Sequence, residues 1–374
     1  MKKKKLIFIL DNFLIGGSVK ILLDMLNNFD RDNFELNIVT IYGSGPMEPD
    51  FRKSDIPIFL AGPKKYPNSF FKKIIWILTI PIIILRLKVF FKKSKPDIVI
   101  TSLYSSDIMG IFTAWLSGVQ KRIIIYHDVH EMSVIREFIR RVFAINLANR
   151  IIAVSVSVKD FLISHWKIPN NKVAVVYNGI DFEKFGTGKK PLGPNLVVGF
   201  IGRLVEEKDP MCFLRSLVIL KNLYKLEPRV IIVGKGELEL KLKEFINFNK
   251  LNNVDLVGWA DDVAEWLKKI DILIVSSREE GLPLVALEGL AANKLIIASD
   301  IKPMKELIFS GDNGILFKAG DSEALAKELK NLLINEKLAK NYYNKVEQWI
   351  YRNRKFFDIK EVAQRYSEIF NTVS

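Results

Sequence analysis

The sequence predicts an α/β protein of two doubly wound parallel domains, and three observations carry that expectation. Short apolar runs recur between helix-length stretches along the chain. The runs are apolar on both faces, as strands covered by helices on both sides must be. A stretch rich in Gly, Pro and Lys, "FEKFGTGKKPLGPN" at 182–195, splits them into two series and reads as a linker. At 374 residues the chain also exceeds one typical core. Domain limits are therefore expected at 1–185 and 186–355.

The first series comprises "KLIFIL" (5–10), "FELNIVTIY" (34–42), "DIVITS" (97–102), "RIIIYH" (122–127), "RIIAVS" (150–155) and "KVAVVYN" (172–178). The second comprises "LVVGFIGR" (196–203), "RVIIVG" (229–234), "NVDLVG" (253–258), "DILIVSS" (271–277), "LIIASD" (295–300) and "GILFK" (314–318). The opening "MKKKKLIFILDNF" mimics a secretion signal, but Asp11 stops its apolar run too soon, so it reads as the first buried strand. After the second series comes an amphipathic stretch, "IKEVAQRYSEIF" (359–370), suited to packing back on the first domain. In such folds ligands bind beyond the carboxyl ends of the strands, here in a cleft between the domains.

Composition narrows the partners. The single cysteine, Cys212, excludes an internal disulfide, fits a reducing cytoplasm and reads as a helix core residue. The net charge of +14 is uneven, with 27 Lys/Arg against 16 Asp/Glu in residues 1–185. Between Asp55 and Asp97 there is no acid, while nine cations fall there, Lys64, Lys65, Lys72, Lys73, Arg86, Lys88, Lys92, Lys93 and Lys95. This asymmetry points to an anionic partner. Nucleic acid is disfavoured, since no recognition module accompanies the charge. The same region holds "IIWILTIPIIIL" (74–85), too short to span a bilayer and interrupted by Pro81. A core helix or an interfacial one remains. Phe70, Phe71, Phe90 and Phe91 beside lysines favour a helix lying on anionic lipid.

Chemistry concentrates after the strands. In "SSREEGLPLVALEGLAANK" (276–294), Pro283 suits the first turn of a helix, Glu280 lies in the loop before it, and Glu288 lies about a turn and a half inside. Bare N–H groups at a helix start attract phosphate. Buried carboxylates need partners, such as ligand hydroxyls; two solvated acids are the plain alternative. In "GFIGRLVEEKDP", Arg203 and Lys208 fit a diphosphate clamp or two surface cations, and Asp209–Pro210 can start a helix. In "FLIGGSVK", Gly16 and Gly17 let backbone approach a ligand. His127 ends "RIIIYHDVH" facing the expected cleft, as a substrate contact or a structural histidine. His130 completes an H-x-x-H spacing without a third ligand, and "DRD" (30–32) falls at the wrong end of the sheet, so no metal site is expected.

Together "GGSVK", "YHD", "VVYNGIDFEKF", "GFIGRLVEEKDP", "VIIVGKGELE", "VDLVGWADDV", "EEGLPLVALEGLA" and "ASDIKPMKELI" resemble the retaining family 4 glycosyltransferases (the "glycosyl transferases group 1" type), in family order over nearly the whole chain. The resemblance implies a GT-B fold, in which two Rossmann-like domains face each other and a final helix, here about 356–374, crosses back to the first. It implies sugar transfer from a nucleotide-diphosphate donor with retention, without metal or other cofactor, and with a uridine donor favoured over a guanosine one. Arg203 and Lys208 would then hold the diphosphate, with Gly281, Leu282, Pro283 and Leu284 lining the phosphate. Glu288 would hold the ribose, Glu280 the transferred sugar; Gly16 and Gly17 would close over the diphosphate, and His127 would contact the sugar. Here Pro283 stands where the family often has a second glycine, and segment 56–96 is more basic and apolar than usual. That combination favours a lipid-linked glycan acceptor at the inner face of the cell membrane, in capsule, O-antigen or exopolysaccharide assembly. The competing readings are a nucleotide-sugar epimerase of the UDP-N-acetylglucosamine 2-epimerase type and a non-catalytic membrane-bound polyanion-binding protein.

Overall fold

The computed structural model describes residues 2–63, 72–129, 132–186 and 195–372. Residues Met1–Gly179 together with Ile359–Ser374 form one compact unit, and Ile180–Asp358 form the other.

The first unit is built on a seven-stranded parallel sheet. Its strands are β1 (Lys4–Leu10), β2 (Phe34–Thr40), β3 (Ile58–Leu60), β4 (Ile98–Ser102), β5 (Lys121–Tyr126), β6 (Arg150–Ala153) and β7 (Val173–Val175), in the order β3-β2-β1-β4-β5-β6-β7. β1 and β4 are fully buried from Leu6 and Ile98 onward, as strands covered on both faces require. The edge strand β3 was absent from the sequence expectation. It is only Ile58–Leu60, half-buried, and begins directly after Pro57, whose carbonyl still accepts from Ile38 N. Three half-buried residues leave too short a pattern to read.

Between β3 and β4 runs a helix, Lys72–Ser94, continuous through Pro81 rather than interrupted by it. Tertiary packing holds it. Ile83, Leu87 and Phe91, spaced by four, are buried against a core with Ile7, Val39, Val99 and Met109. Phe90 stacks on Phe59 at 4.4 Å, and Arg86 donates to Leu60 O at 2.9 Å. Phe90 and Phe91 thus face the protein rather than a headgroup layer, which corrects their expected interfacial role. Phe70, Phe71, Lys64 and Lys65 lie outside the described residues. The helix's opposite face exposes Leu78, Ile82, Leu85 and Val89. No helix among the described residues is long and apolar enough to cross a membrane.

The final helix, Ile359–Thr372, packs on this unit through Phe370, whose ring lies 6.1 Å from Phe8 and 5.9 Å from Phe29. Gly179 is required where that helix begins, since a Cβ there would sit 2.9 Å from the Ile359 Cα.

The second unit carries a six-stranded parallel sheet. β8 (Val198–Ile201), β9 (Val230–Val233), β10 (Val254–Gly258), β11 (Ile272–Val275), β12 (Leu295–Ser299) and β13 (Ile315–Phe317) are ordered β10-β9-β8-β11-β12-β13. Part of the expected linker is structured. Residues Phe182–Phe185 form a short helix capped by Asp181, with both phenylalanines buried, while 187–194 lie outside the described residues. Cys212 is buried in the Pro210–Ile219 helix, which Asp209 caps through Cys212 N at 3.0 Å.

Candidate active site: two switch points and the groups they gather

In each sheet the strand order reverses once. Connections in the first unit run outward from β1 in one direction and from β4 in the other, and in the second unit outward from β8 and β11. Ligands of doubly wound sheets bind beyond the carboxyl ends of the strands at this point. The predicted residues cluster there.

In the second unit two loops are stitched together across the β8/β11 switch point. Ser276 Oγ donates to Asp209 O at 2.8 Å, and Arg278 N donates to Glu207 O at 2.8 Å. Arg278 Nε adds a 2.7 Å ion pair to Asp209 Oδ2. Asp209 holds a left-handed backbone, φ 44°, stabilised by these bonds and by its capping role. Gly234 is obligatory beside them, because a Cβ would come within 1.8 Å of Gly202 O and its φ is 149°.

On this base the predicted donor residues assemble. Arg203 follows β8 and is exposed, with no protein hydrogen bond or ion pair among the described residues. Lys208 pairs with Glu280 Oε1, which also accepts from Ser277 Oγ at 2.7 Å. The expectation gave Lys208 and Glu280 separate partners; in the structure they hold each other. The Glu280 side chain is 9% exposed and Lys208 22%, so the pair is well shielded. Gly281, Leu282 and Pro283 are buried, and the helix Leu284–Ala291 starts directly after them. Pro283 sits just before the first turn rather than in it, and supplies no side-chain cap. The uncapped start with its macrodipole favours an anion. Glu288, 5% exposed, lies in the second turn of that helix.

The first unit gathers a different set. Asp11, just past β1, reaches over the switch point and accepts from Ser106 N at 2.6 Å and Ser105 N at 3.2 Å, which ties β1 to the turn after β4. Burial pushes its carboxyl above the usual range, against those hydrogen bonds. His127 follows β5, its Nε2 3.0 Å from Ser102 Oγ at the end of β4. Burial pulls the imidazole down to about 4, so near neutral pH it is an uncharged hydrogen-bonding group. Beneath it lies a buried ion pair. Arg140 Nη2 and Nε reach Asp107 Oδ2 at 2.5 and 3.1 Å, Thr101 Oγ1 donates to Asp107 Oδ1 at 2.6 Å, and the guanidinium covers the Tyr126 ring at 4.1 Å. Burial raises the Asp107 carboxyl to about 6 despite Arg140, which leaves it ionised at neutral pH.

Gly16 precedes the Gly17–Asn27 helix with extended backbone, φ −174°, and a Cβ there would meet nothing within 4 Å. Nothing in the protein demands glycine at this position. His130 lies outside the described residues, and no metal-binding group of three or more His, Cys, Asp or Glu occurs among the described ones. In the 30–32 segment Asp30 accepts from Asp32 N, a turn contact.

Sequence reasoning missed Asp11, Ser102, Asp107, Arg140 and Ser277 as parts of these clusters. Ser102 and Ser277 had a readable signal, because each ends or follows an apolar run at a carboxyl edge. Asp107 and Arg140 are 33 residues apart and carry none.

The model of the "Glycosyltransferase Family 4" domain matches residues 15–184, and the "Glycosyl transferases group 1" model matches 182–349. The Escherichia coli enzyme UDP-Gal:alpha-D-GlcNAc-diphosphoundecaprenol alpha-1,3-galactosyltransferase is 26% identical over 358 residues, 89% of each chain. The capsular polysaccharide biosynthesis glycosyltransferase CapM of Staphylococcus aureus is 22% identical over 360 residues, 90% of each. The crystal structure of Anabaena HepE in complex with UDP-glucose aligns with TM-score 0.82 at 20% identity, covering 98% of this chain and 99% of that one, and establishes the same fold. With one family model on each half and the GT-B architecture throughout, the chain belongs to the family 4-type GT-B glycosyltransferases and is a nucleotide-sugar glycosyltransferase.

Proposed function

We propose that this enzyme transfers a sugar, with retention of anomeric configuration, from a UDP-sugar to a lipid-linked glycan acceptor in the assembly of a bacterial surface polysaccharide. The observation that carries this is the second unit's switch point, where an exposed Arg203, the Lys208–Glu280 pair, an uncapped helix start and a buried Glu288 converge. The relatives' names support the polysaccharide and lipid-diphosphate acceptor classes. Arg203 and Lys208 hold the diphosphate, with the Gly281–Leu284 backbone beside it. Glu288 binds ribose hydroxyls and Glu280 the transferred sugar. For the sugar to be bound, Lys208 must exchange part of its contact with Glu280 for phosphate oxygen. That exchange links donor binding to release of the Glu280 carboxylate. Gly16 and Gly17 let the backbone approach a ligand at the first unit's switch point, and the neutral His127 offers a hydrogen bond to substrate.

The enzyme works at an anionic membrane surface, docked through residues 64–95. The exposed Leu78, Ile82, Leu85 and Val89, with Lys88, Lys92 and Lys93 nearby, support this placement.

Separating the two glutamates tests the donor site. Glu288→Gln should weaken UDP and UDP-sugar alike, whereas Glu280→Gln should spare UDP affinity and lower turnover. Calorimetry with UDP reads the first effect, and steady-state kinetics the second. Equal losses of UDP affinity in both variants would overturn the division of roles. Unmodified protein with UDP at 100 times its dissociation constant should gain roughly 2.7 kcal/mol of stability.

A further inference from the structure

A helix on a water-facing surface turns its polar side outward. The helix Val134–Arg140, which continues as a wider turn through Arg141–Ile145, does the reverse. Its inward side carries the buried Arg140, locked to Asp107. Its outward side presents Val134, Ile135 and Phe138, which are 82%, 72% and 66% exposed. Fixing Arg140 inward leaves this apolar stripe no other direction to face.

Exposed arginines flank the stripe among the described residues. The only acid in the helix, Glu137, is turned aside to His165 Nε2 at 3.1 Å and Met132 N at 3.1 Å. Arg136 lies over the Tyr104 ring at 4.4 Å, and Arg141 is exposed. The stripe is also continuous with apolar surface on its neighbours. Phe143 meets Phe112 edge-on at 5.2 Å, and Phe112 stacks with the exposed Trp115 at 6.1 Å. The segment holding Phe112 and Trp115 packs in turn along the Lys72–Ser94 helix. Right-handed crossovers place all three on one face of the sheet.

We propose that the outward face of residues 134–145 is a second lipid-contacting element, inserting into the interface of an anionic membrane alongside the Lys72–Ser94 helix. This rests on the membrane reading above and extends it to a surface that no run of lysines marks. The stripe begins seven residues after His127. Its insertion brings the carboxyl end of β5 to headgroup depth, where the diphosphate of a lipid-linked acceptor lies. An isolated apolar stripe would fit a second copy of the chain equally well; the flanking cations and the continuity with the Lys72–Ser94 face select lipid.

The test uses full-length protein carrying one environment-sensitive nitrobenzoxadiazole label, on Ile135→Cys, Phe138→Cys, Leu85→Cys or, as control, Lys241→Cys in the other unit. Vesicles contain phosphatidylglycerol or phosphatidylcholine alone. Labels at 135, 138 and 85 should brighten several-fold and shift to the blue with phosphatidylglycerol vesicles, and the label at 241 should not. The pair Ile135→Glu and Phe138→Glu together should lower vesicle partitioning at least tenfold and spare turnover on a short water-soluble acceptor. A response at 85 without one at 135 and 138 overturns this proposal and leaves the Lys72–Ser94 surface standing. Failure of the unmodified protein to bind either vesicle overturns both. Blue shifts at 135 and 138 that grow with protein concentration in the absence of vesicles assign the stripe to a second copy and overturn the lipid reading.

Discussion

Arg203→Ala is expected to weaken UDP binding by roughly 2–5 kcal/mol, as loss of one partner of a desolvated charge pair does. In affinity this is about 30-fold to several thousand-fold. The two cations differ in their protein partners. Lys208 already has a carboxylate partner in Glu280, so phosphate must compete for it. Arg203 is exposed and engaged by no protein group among the described residues, so all of its interaction with phosphate appears as binding. Its planar fork also matches two phosphate oxygens, which an ammonium does not. Arg203→Ala should therefore cost more UDP affinity than Lys208→Ala. Calorimetric titration of both variants checks the order. Unchanged UDP affinity in a normally folded Arg203→Ala protein would remove Arg203 from the donor site.

Asp107→Ala should destabilise the first unit by about 3–5 kcal/mol, the usual effect of leaving a buried partner charge uncompensated. Arg140 is 4% exposed and its guanidinium is surrounded by Asp107 and the faces of Tyr126 and Tyr104. Without Asp107 it must either stay buried and unpaired or leave, and leaving would undo the packing that turns Phe138 outward. Replacing both members, Asp107→Ala with Arg140→Met, should recover most of the loss, since an apolar pair needs no compensation. Denaturant unfolding followed by far-ultraviolet circular dichroism measures both. A single-variant loss below about 1 kcal/mol would mean that water reaches Arg140 and that the pair is not the anchor described.

The central strands were legible because they are apolar on both faces and bounded by turn residues; β1, β4 and β8 coincide with runs read directly from the sequence. The loop proposed to hold the donor stands out for a related reason, since a carboxylate before Gly–Leu–Pro and another within an apolar helix are hard to explain as mere surface. What stayed hidden depended on long-range contact. Pro81 looked like a break, yet packing of Ile83, Leu87 and Phe91 carries the helix past it. Phe90 and Phe91 looked interfacial, yet their direction was fixed by Phe59 and the sheet, neither of which is local. The Lys208–Glu280 contact joins residues 72 apart, so their separate roles could be guessed while their coupling could not. The glycine of "NGID" had a family resemblance but no visible cause; the cause is the close approach of Ile359, far along the chain.

Transfer itself tests the central claim most directly. Incubating the protein with a panel of UDP-sugars and an undecaprenyl-diphosphate-linked saccharide in phosphatidylglycerol vesicles, then analysing the glycolipid by mass spectrometry and NMR, reads donor, acceptor and configuration together. UDP should be released only when the acceptor is present, and the product should be one sugar longer with the donor's anomeric configuration kept. A donor sugar inverted at C2 with the acceptor untouched would contradict it and point to an epimerase instead.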